Sequence, residues 1–328
     1  MSDTILYREI KESDQRVFPL AWYAVGWSKE LSSKPIKRRL LGKDVVLYRD
    51  SAGALQAIHA YCPHRGADLS LGSCRGGQLR CAYHAWTFDA DGRCIDIPAH
   101  PGRAIPEFAH TVVYPAIERA GLLWVYPQAK GDKSQELLLE PQLFAELNDP
   151  TFKWAAYDAK WNAHLTRVIE SVIDVAHVPI VHRKTIGKNS SVEIRISFET
   201  EGDDILVSNG GAQLKYRFPQ QWILTPIQEA KNKFINYITF TPIEEEITAI
   251  YGYAGRNFAT FVPGMNYLFS KYSSRVLEED RDIVESQHPR PIPEALRMEA
   301  HVPADGPQVR FRQRWYKFLA GNEPRIYV

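Results

Sequence analysis

The stretch CPHRGADLSLGSCRGGQLRCAYHAW, residues 62–86, contains three cysteines and two histidines, and each histidine follows a cysteine at short spacing. One residue separates Cys62 from His64, and two residues separate Cys81 from His84. Two short loops that each carry one thiolate and one imidazole can hold a metal group from both sides. Four cysteines in 328 residues do not make a disulfide scaffold, so ligation of a metal is the better interpretation.

Two kinds of metal site use two cysteines and two histidines. Zinc fingers usually pair cysteine with cysteine and histidine with histidine along the chain, whereas each loop here mixes the two. A mixed pair suits a Rieske [2Fe–2S] cluster, in which two thiolates hold one iron and two histidines hold the other. The pattern, with 16 residues between His64 and Cys81, therefore favours a Rieske cluster over a zinc ribbon.

The two loops closely resemble those of the Rieske non-heme iron oxygenases. This resemblance identifies Cys62, His64, Cys81 and His84 as the cluster ligands. Respiratory Rieske proteins carry an additional cysteine beside each ligand pair, and the two form a disulfide. The remaining cysteines here, at positions 74 and 94, lie outside the ligand motifs and are interpreted as small structural residues. A Rieske ferredoxin would need only the first half of the chain.

The second half contains HLTRVIESVIDVAHVPIVHRKTIG, residues 164–187. Asp174 and His177 share a face of the predicted helix, and Pro179 is expected to end or distort that helix just after His177, turning His182 toward the same point. Two converging histidines can be two arms of a 2-His-1-carboxylate triad, which binds Fe(II) and leaves positions open for other ligands. An isolated pair of this kind is more often structural. D-x₂-H-x₄-H nevertheless resembles the mononuclear iron motif of the same oxygenases, which favours iron ligation.

The third ligand is expected on the predicted helix of residues 273–288. Its inward stripe, with 3.6-residue periodicity, comprises Val276, Asp280, Ile283, Val284 and Gln287. Asp280 is the only acid on that stripe, and a buried carboxylate is costly unless it is paired or bound to metal. Asp280 is therefore the predicted ligand, and Asp282 is the alternative. Three other residues, Glu279, Asp282 and Glu285, fall outside the stripe and are expected to be solvated. The segment also resembles the C-terminal ligand helix of demethylase-like Rieske oxygenases.

Asp174 has two interpretations. It is either an ordinary helix acid or the residue that orients His177 through its free ring N–H. The resemblance implies a further role, as an electron bridge to the Rieske histidine of a neighbouring subunit, which here is His84. A bridge between subunits implies a head-to-tail ring, most simply a homotrimer. One departure is that many family members carry Asn just upstream, where this chain has Glu170 and Ser171.

The pattern of apolar and turn residues divides the chain into an all-β half and an α+β half. Short alternating strands with turn signals run from about residue 36 to 127, including a hairpin before Cys62 and a turn at Asp91–Gly92. The second half combines a predicted helix over 160–182, an antiparallel sheet, the helix of residues 273–288 and a last helix capped by Gly321. We predict an α+β chain with an all-β Rieske domain at residues 1–140. A helix-grip-like catalytic domain follows at residues 141–328.

Composition narrows the class of partner. The net charge is +1 without a block of like charge, which argues against nucleic acid or a membrane surface. No apolar run approaches the roughly 18 residues of a membrane span, and the charged first residues do not resemble a signal peptide. A cytoplasmic, reducing location is expected.

The family resemblance extends over about residues 15–320. It implies a terminal oxygenase that uses a [2Fe–2S] cluster, mononuclear Fe(II) and O₂ to hydroxylate or demethylate a small aromatic, heterocyclic or alkaloid substrate. The electron donor would be a separate ferredoxin or flavin reductase, since no nucleotide-binding glycine loop is present. The length resembles the trimer-only group, so monooxygenation is favoured over ring dioxygenation. The alternative is a Rieske electron-transfer or redox-sensing protein without oxygenase activity.

Overall fold

A computed structural model of the chain describes residues 17–131, 140–193, 196–227, 230–321 and 323–327. These residues form two compact units, one of residues 20–143 and one of residues 144–327 together with Val17–Pro19. Val17–Pro19 pairs with Arg325–Tyr327 near the C-terminus. These three residues thus join the second unit, although the sequence assigned them to the first domain. A domain boundary after residue 140 stays a proposal.

The first unit is built from short antiparallel strands. After β1 (Val17–Pro19), its strands in chain order are β2 (Tyr23–Trp27), β3 (Ile36–Leu40), β4 (Lys43–Arg49), β5 (Leu55–His59), β6 (Ser73–Arg75), β7 (Gln78–Arg80), β8 (Thr87–Phe88), β9 (Cys94–Asp96), β10 (Val113–Tyr114), β11 (Ala116–Arg119) and β12 (Leu122–Val125). They form sheets in the orders β10-β5-β4-β3, β11-β12-β2 and β6-β7-β8-β9. The predicted β4–β5 hairpin and the turn at Asp91–Gly92 between β8 and β9 are confirmed.

The hydrophobic core of this unit extends under the cysteine–histidine loops. Cys62 and Cys81 are each only 3% exposed and pack with Leu69, Leu79 and Phe88, which are fully buried. The core therefore fixes the base of both loops.

The second unit contains a seven-stranded antiparallel sheet in the order β13-β19-β18-β17-β16-β15-β14. The strands are β13 (Lys153–Trp161), β14 (Ser197–Glu201), β15 (Asp204–Asn209), β16 (Ala212–Arg217), β17 (Gln221–Pro226), β18 (Phe234–Glu244) and β19 (Ile247–Arg256), with β20 (Arg325–Tyr327) paired to β1. The predicted antiparallel sheet is confirmed. Sequence reasoning missed β13 and β17, and it placed the start of a helix inside β13.

The helices of this unit are α1 (Leu165–Ile173), α2 (Val178–Val181), α3 (Met265–Glu285) and α4 (Gly306–Ala320). The helix predicted over 160–182, with an end or distortion just after His177, is wrong in its bounds, because α1 ends at Ile173 and the separate helix α2 begins at Val178. His164 caps the N-terminus of α1 by accepting from the Thr166 N–H, and extended backbone at Asp174 ends α1. Pro179 lies in the first turn of α2, where proline is tolerated because no N–H is needed there.

The other two predicted helices are present, and α4 ends where predicted, whereas α3 differs in its bounds. Helix α3 begins at Met265, eight residues before the predicted start, and α4 ends at the predicted cap, where the Gly321 N–H donates to the Lys317 carbonyl at 2.8 Å. None of the helices in the described part of the chain is both long and apolar enough to span a membrane. The predicted α+β class, with an all-β first half, is confirmed.

Candidate functional site: the cysteine–histidine loops and the two-histidine, one-carboxylate cluster

The two cysteine–histidine loops share one backbone pattern. The Cys62 N–H donates to the Ala67 carbonyl, and the Gly66 N–H returns to the Cys62 carbonyl, both at 2.9 Å. The second loop repeats this, with Cys81 N–H to the Trp86 carbonyl at 2.9 Å and Ala85 N–H to the Cys81 carbonyl at 3.1 Å. The residue four positions after each cysteine has a positive φ, 68° at Gly66 and 59° at Ala85. Two similar turns therefore present the four predicted ligands.

The side chains of these loops fit a cluster that takes two thiolates and two imidazoles. The His64 and His84 ring centroids are 4.6 Å apart, and Trp86 stacks on His64 at 4.5 Å. Burial, and then the neighbouring Cys81, raises the pKa of Cys62 to about 11, so a thiolate there needs a positive partner such as iron. Burial and the charges of His84 and Arg65 lower the pKa of His64, which favours the neutral ring that a metal ligand needs.

One buried atom also indicates a missing partner. Nδ1 of His64 is buried and has no hydrogen-bond partner among the described residues. Buried polar atoms are rarely left without a partner, and a metal bond satisfies a ring nitrogen. His84, by contrast, is exposed, and Tyr83 packs against its ring at a centroid distance of 3.8 Å.

In the second unit, three side chains predicted from two separate segments converge. His182 Nε2 lies 3.1 Å from Asp280 Oδ1, His177 Nε2 lies 3.4 Å from the same oxygen, and the two nitrogens are 3.2 Å apart. Two ligand atoms about 2.1 Å from a metal ion and at right angles lie about 3 Å apart. The three atoms therefore have the spacing of one face of a metal coordination sphere, as in a 2-His-1-carboxylate site.

A second carboxylate lies behind His182, and sequence reasoning missed it. Glu279 Oε2 is 2.9 Å from His182 Nδ1 and also accepts from Thr185 Oγ1 at 2.5 Å. Although burial lowers the pKa of His182, the hydrogen bonds and charges of Asp280 and Glu279 raise it above its ordinary value. The expectation that Glu279 is solvated is wrong, since its side chain is only 18% exposed. A carboxylate behind His182 could have been expected from the sequence, because a ligating histidine commonly donates its other N–H to a carboxylate.

Asp174 takes the corresponding place behind His177. Its Oδ2 lies 3.6 Å from His177 Nδ1, and its Oδ1 accepts from the Ala176 N–H at 2.6 Å. Burial would raise the pKa of this carboxyl, but the hydrogen bonds and charge of His177 and the N–H of Ala176 hold it below its usual value. Asp174 is therefore an anion that faces the ring nitrogen of His177 turned away from Asp280.

The inward stripe of α3 differs by one position from the predicted one. The buried residues are Ser273, Leu277, Asp280 and Val284, while Ile283 is 51% exposed. The predicted burial of Asp280 and Val284 is confirmed, and that of Ile283 is wrong, because the buried stripe runs through 273, 277, 280 and 284 rather than 276, 280, 283, 284 and 287. Asp280 belongs to both stripes, and Asp282 points to solvent with a side chain 84% exposed.

A cavity of about 240 Å³ opens beside this cluster. Its wall includes Asp174, His177, Asp280, Gln287, Gln308 and Arg312. A small ligand can therefore approach the atoms of the cluster from this side.

The turn that follows His182 requires glycine at position 187. The Gly187 N–H donates to the His182 carbonyl at 3.0 Å, and a Cβ at this position would overlap the carbonyl oxygen of Val178. We expect Gly187→Ala to displace the turn, lowering the free energy of unfolding by about 1–3 kcal/mol and reducing the content of metal bound at His182. Thermal unfolding and metal analysis measure both effects. Gly211→Ala is the matched control, because no atom lies within 4 Å of its Cβ. Equal behaviour of the two variants would contradict this role.

Two family models match the chain. Residues 21–113 match the Rieske [2Fe-2S] domain, and residues 210–320 match the vanillate O-demethylase oxygenase C-terminal domain. The chain belongs to the Rieske oxygenase family. The first match contains both cysteine–histidine loops, and the second contains α3 with Asp280.

Curated relatives of this chain are named as oxygenase components or monooxygenases. The vanillate O-demethylase oxygenase subunit of Pseudomonas sp. strain HR199 is 31% identical over 57% of this chain and 51% of its own. The 4beta-methylsterol monooxygenase of Methylococcus capsulatus is 30% identical over 69% of this chain and 65% of its own. The alignments thus span about half to two thirds of the length of these relatives.

Solved structures share the fold. Dicamba monooxygenase bound to dicamba superposes with a TM-score of 0.79 at 22% identity, covering 92% of this chain and 97% of the other. Pseudomonas putida CBB5 NdmA gives a TM-score of 0.80 at 22% identity, covering 96% and 98%. The predicted cofactors, a [2Fe–2S] Rieske cluster and a mononuclear iron with O₂ as co-substrate, are those of this family.

Proposed function

We propose that this chain is the terminal oxygenase component of a system that inserts one oxygen atom from O₂ into a small organic substrate. The observation that carries the proposal is the convergence of His177, His182 and Asp280, with ligand atoms 3.1–3.4 Å apart, in a chain that also has both Rieske loops. We assign these three residues as the iron ligands, and Cys62, His64, Cys81 and His84 as the cluster ligands.

The chain's own residues hold and orient the metal ligands. Glu279 accepts the ring N–H of His182, and Asp174 faces the corresponding nitrogen of His177, so each imidazole presents Nε2 to the metal. When bound, the mononuclear iron supplies O₂ activation and the cluster supplies an electron. His177, His182 and Asp280 would hold this iron, and the cavity that they border would give a small substrate access to it.

The overall reaction consumes O₂, two electrons and two protons, places one oxygen atom in the substrate and releases the other as water. The electrons come from a separate ferredoxin or flavin reductase. We propose a small aromatic, heterocyclic or alkaloid substrate. Hydroxylation of an O- or N-methyl carbon gives a product that releases formaldehyde, so hydroxylation and demethylation share one chemistry. The names of the relatives, a vanillate O-demethylase and a dicamba O-demethylase among them, support this class over ring dioxygenation.

We further propose that the electron reaches the iron site from a second copy of the chain, in a homotrimer located in the cytoplasm. His84 of one subunit would contact Asp174 of the next. Two observations support this: His84 is exposed at the end of its loop, and Asp174 is 28% exposed at an open cavity.

A single-turnover experiment tests the function. The purified protein is reduced chemically, then mixed with ¹⁸O₂ and a panel of methoxy-aromatic, N-methyl and alkaloid compounds. A product heavier by one labelled oxygen supports hydroxylation, and loss of a methylene with release of formaldehyde supports demethylation. A reduced cluster that persists under O₂ with every compound would contradict oxygenation and favour an electron-transfer protein.

A further inference from the structure

Four charged side chains, three of them buried and one half-buried, pair with one another around Glu170, one helical turn before Asp174. Arg167 and Glu170 lie on α1, Arg312 lies on α4, and Glu299 precedes α4. Arg167, Glu170 and Arg312 are 2%, 6% and 4% exposed. Charges this deeply buried are tolerated only when they are paired. We call these four residues the quartet.

Glu170 is the centre of the quartet. Its Oε2 accepts from Arg312 Nη2 at 3.0 Å and from Arg167 Nη1 at 3.2 Å, and its Oε1 accepts from Arg312 Nε. Glu299 holds the same two arginines, with Arg167 Nη2 at 2.9 Å and Arg312 Nη2 at 2.6 Å. Arg167 also donates to the carbonyl of Pro289, just beyond α3, at 3.1 Å. The quartet therefore ties α1 to α4 and to the chain that follows α3.

The backbone joins Glu170 to the residue that faces His177. The Glu170 carbonyl accepts the Asp174 N–H at 3.1 Å, and this hydrogen bond closes the last turn of α1. The Asp174 carboxylate then lies 3.6 Å from His177 Nδ1. A shift of this turn would move the Asp174 carboxylate relative to the imidazole that it faces.

We propose that Glu170 is a positioning residue. Held by Arg167 and Arg312, it fixes the last turn of α1 and thereby the distance between Asp174 and His177. The proposal rests on the proposed function only in assigning His177, His182 and Asp280 as metal ligands. Stability alone does not account for the quartet, because apolar residues of similar volume commonly stabilise a protein as well as buried ion pairs do. Charge-assisted hydrogen bonds in a buried site favour one arrangement of the side chains that make them, and both oxygens of Glu170 accept such bonds here, although Nη1 of Arg312 has no hydrogen-bond partner among the described residues.

The test is a Co(II) titration of the full chain with its cluster in place and its mononuclear iron removed by a chelator. We expect Glu170→Gln to weaken Co(II) binding about tenfold and to change the visible absorption of bound Co(II), because residues behind a ligand contribute 10–100-fold to affinity. Asp174→Ala is expected to weaken binding at least as much. The double variant should bind no more weakly than Asp174→Ala alone, because Glu170 acts through Asp174.

Asp204→Asn is the matched control, because it breaks a partly buried ion pair with Lys215 and Arg217 that is not part of the cavity wall. Three results would each overturn the positioning role. They are a loss of Co(II) affinity in the double variant equal to the sum of the two single losses, an unchanged Co(II) affinity in Asp174→Ala, and a loss in Asp204→Asn as large as that in Glu170→Gln. If Glu170→Gln does not fold, Glu170→Asp keeps the charge and shortens the reach. An unchanged Co(II) spectrum in Glu170→Asp would then overturn the role.

A failed iron site is distinguishable from a failed positioning role. A wild-type chain that binds no Co(II), or an Asp280→Ala variant that binds it normally, would contradict the ligand assignment. Normal wild-type binding with normal Glu170→Gln binding contradicts only the positioning role.

Discussion

Asp280→Ala is expected to abolish substrate oxidation and to lower the iron content from about three to about two irons per two sulfides, while the visible spectrum of the Rieske cluster stays unchanged. Asp280 Oδ1 lies 3.1 Å from His182 Nε2 and 3.4 Å from His177 Nε2. Without this carboxylate, two neutral imidazoles would remain, which bind Fe(II) weakly and leave the metal charge uncompensated. Iron and sulfide analysis, the visible spectrum and product formation measure the three effects.

Asp282→Ala is the matched control for this prediction. Asp282 lies two residues further along α3, its side chain is 84% exposed, and it contacts only the neighbouring Arg281 among the pairs found in the described residues. The Asp282→Ala variant should retain full iron content and activity. Glu279→Gln should fall between the two, with iron affinity about tenfold lower, because Glu279 orients His182. Full iron content in Asp280→Ala, or loss of iron in Asp282→Ala, would reassign the third ligand.

The features that the sequence predicted well are local. Each cysteine–histidine loop is a short stretch in which spacing alone sets which side chains meet, and the structure gives both loops the same turn. The stripe argument placed Asp280 on the buried face even though the stripe was displaced, because Asp280 is buried in either register. The prediction that Ile283 is buried was wrong because successive residues of a helix point about 100° apart, so a stripe displaced by one position turns a residue toward solvent.

The features that the sequence did not predict depend on contacts between distant segments. Glu170 pairs with Arg312, 142 residues later, and no spacing rule connects them. The helix predicted over 160–182 includes the end of β13, whose partner strand β19 lies about ninety residues further along. The alternation of β13 is weak in sequence because several of its positions are alanine. Tertiary pairing, rather than local preference, decides such segments.

Asp174→Ala is expected to slow reoxidation of the reduced cluster by O₂ and substrate about hundredfold. The reason is the proposed electron path from the His84 of one subunit through Asp174 of the next. Single-turnover absorption of the cluster measures the rate, normalised to the iron content because Asp174 also orients His177. Ser171→Ala is the control, since Ser171 also lies at the cavity wall but its hydroxyl donates to the Val168 carbonyl at 2.8 Å. Equal rates in the two variants would remove Asp174 from the path.

A mixture of two inactive variants tests whether the path crosses between subunits. His84→Ala lacks a cluster ligand but keeps Asp174, whereas Asp174→Ala keeps its cluster. If the electron passes between copies, mixed trimers formed by co-expression should recover about a quarter of the wild-type rate. With random mixing, one interface in four joins an intact cluster to an intact Asp174. If the electron stays within one chain, neither variant can complete the path in any mixture, and recovery would be zero.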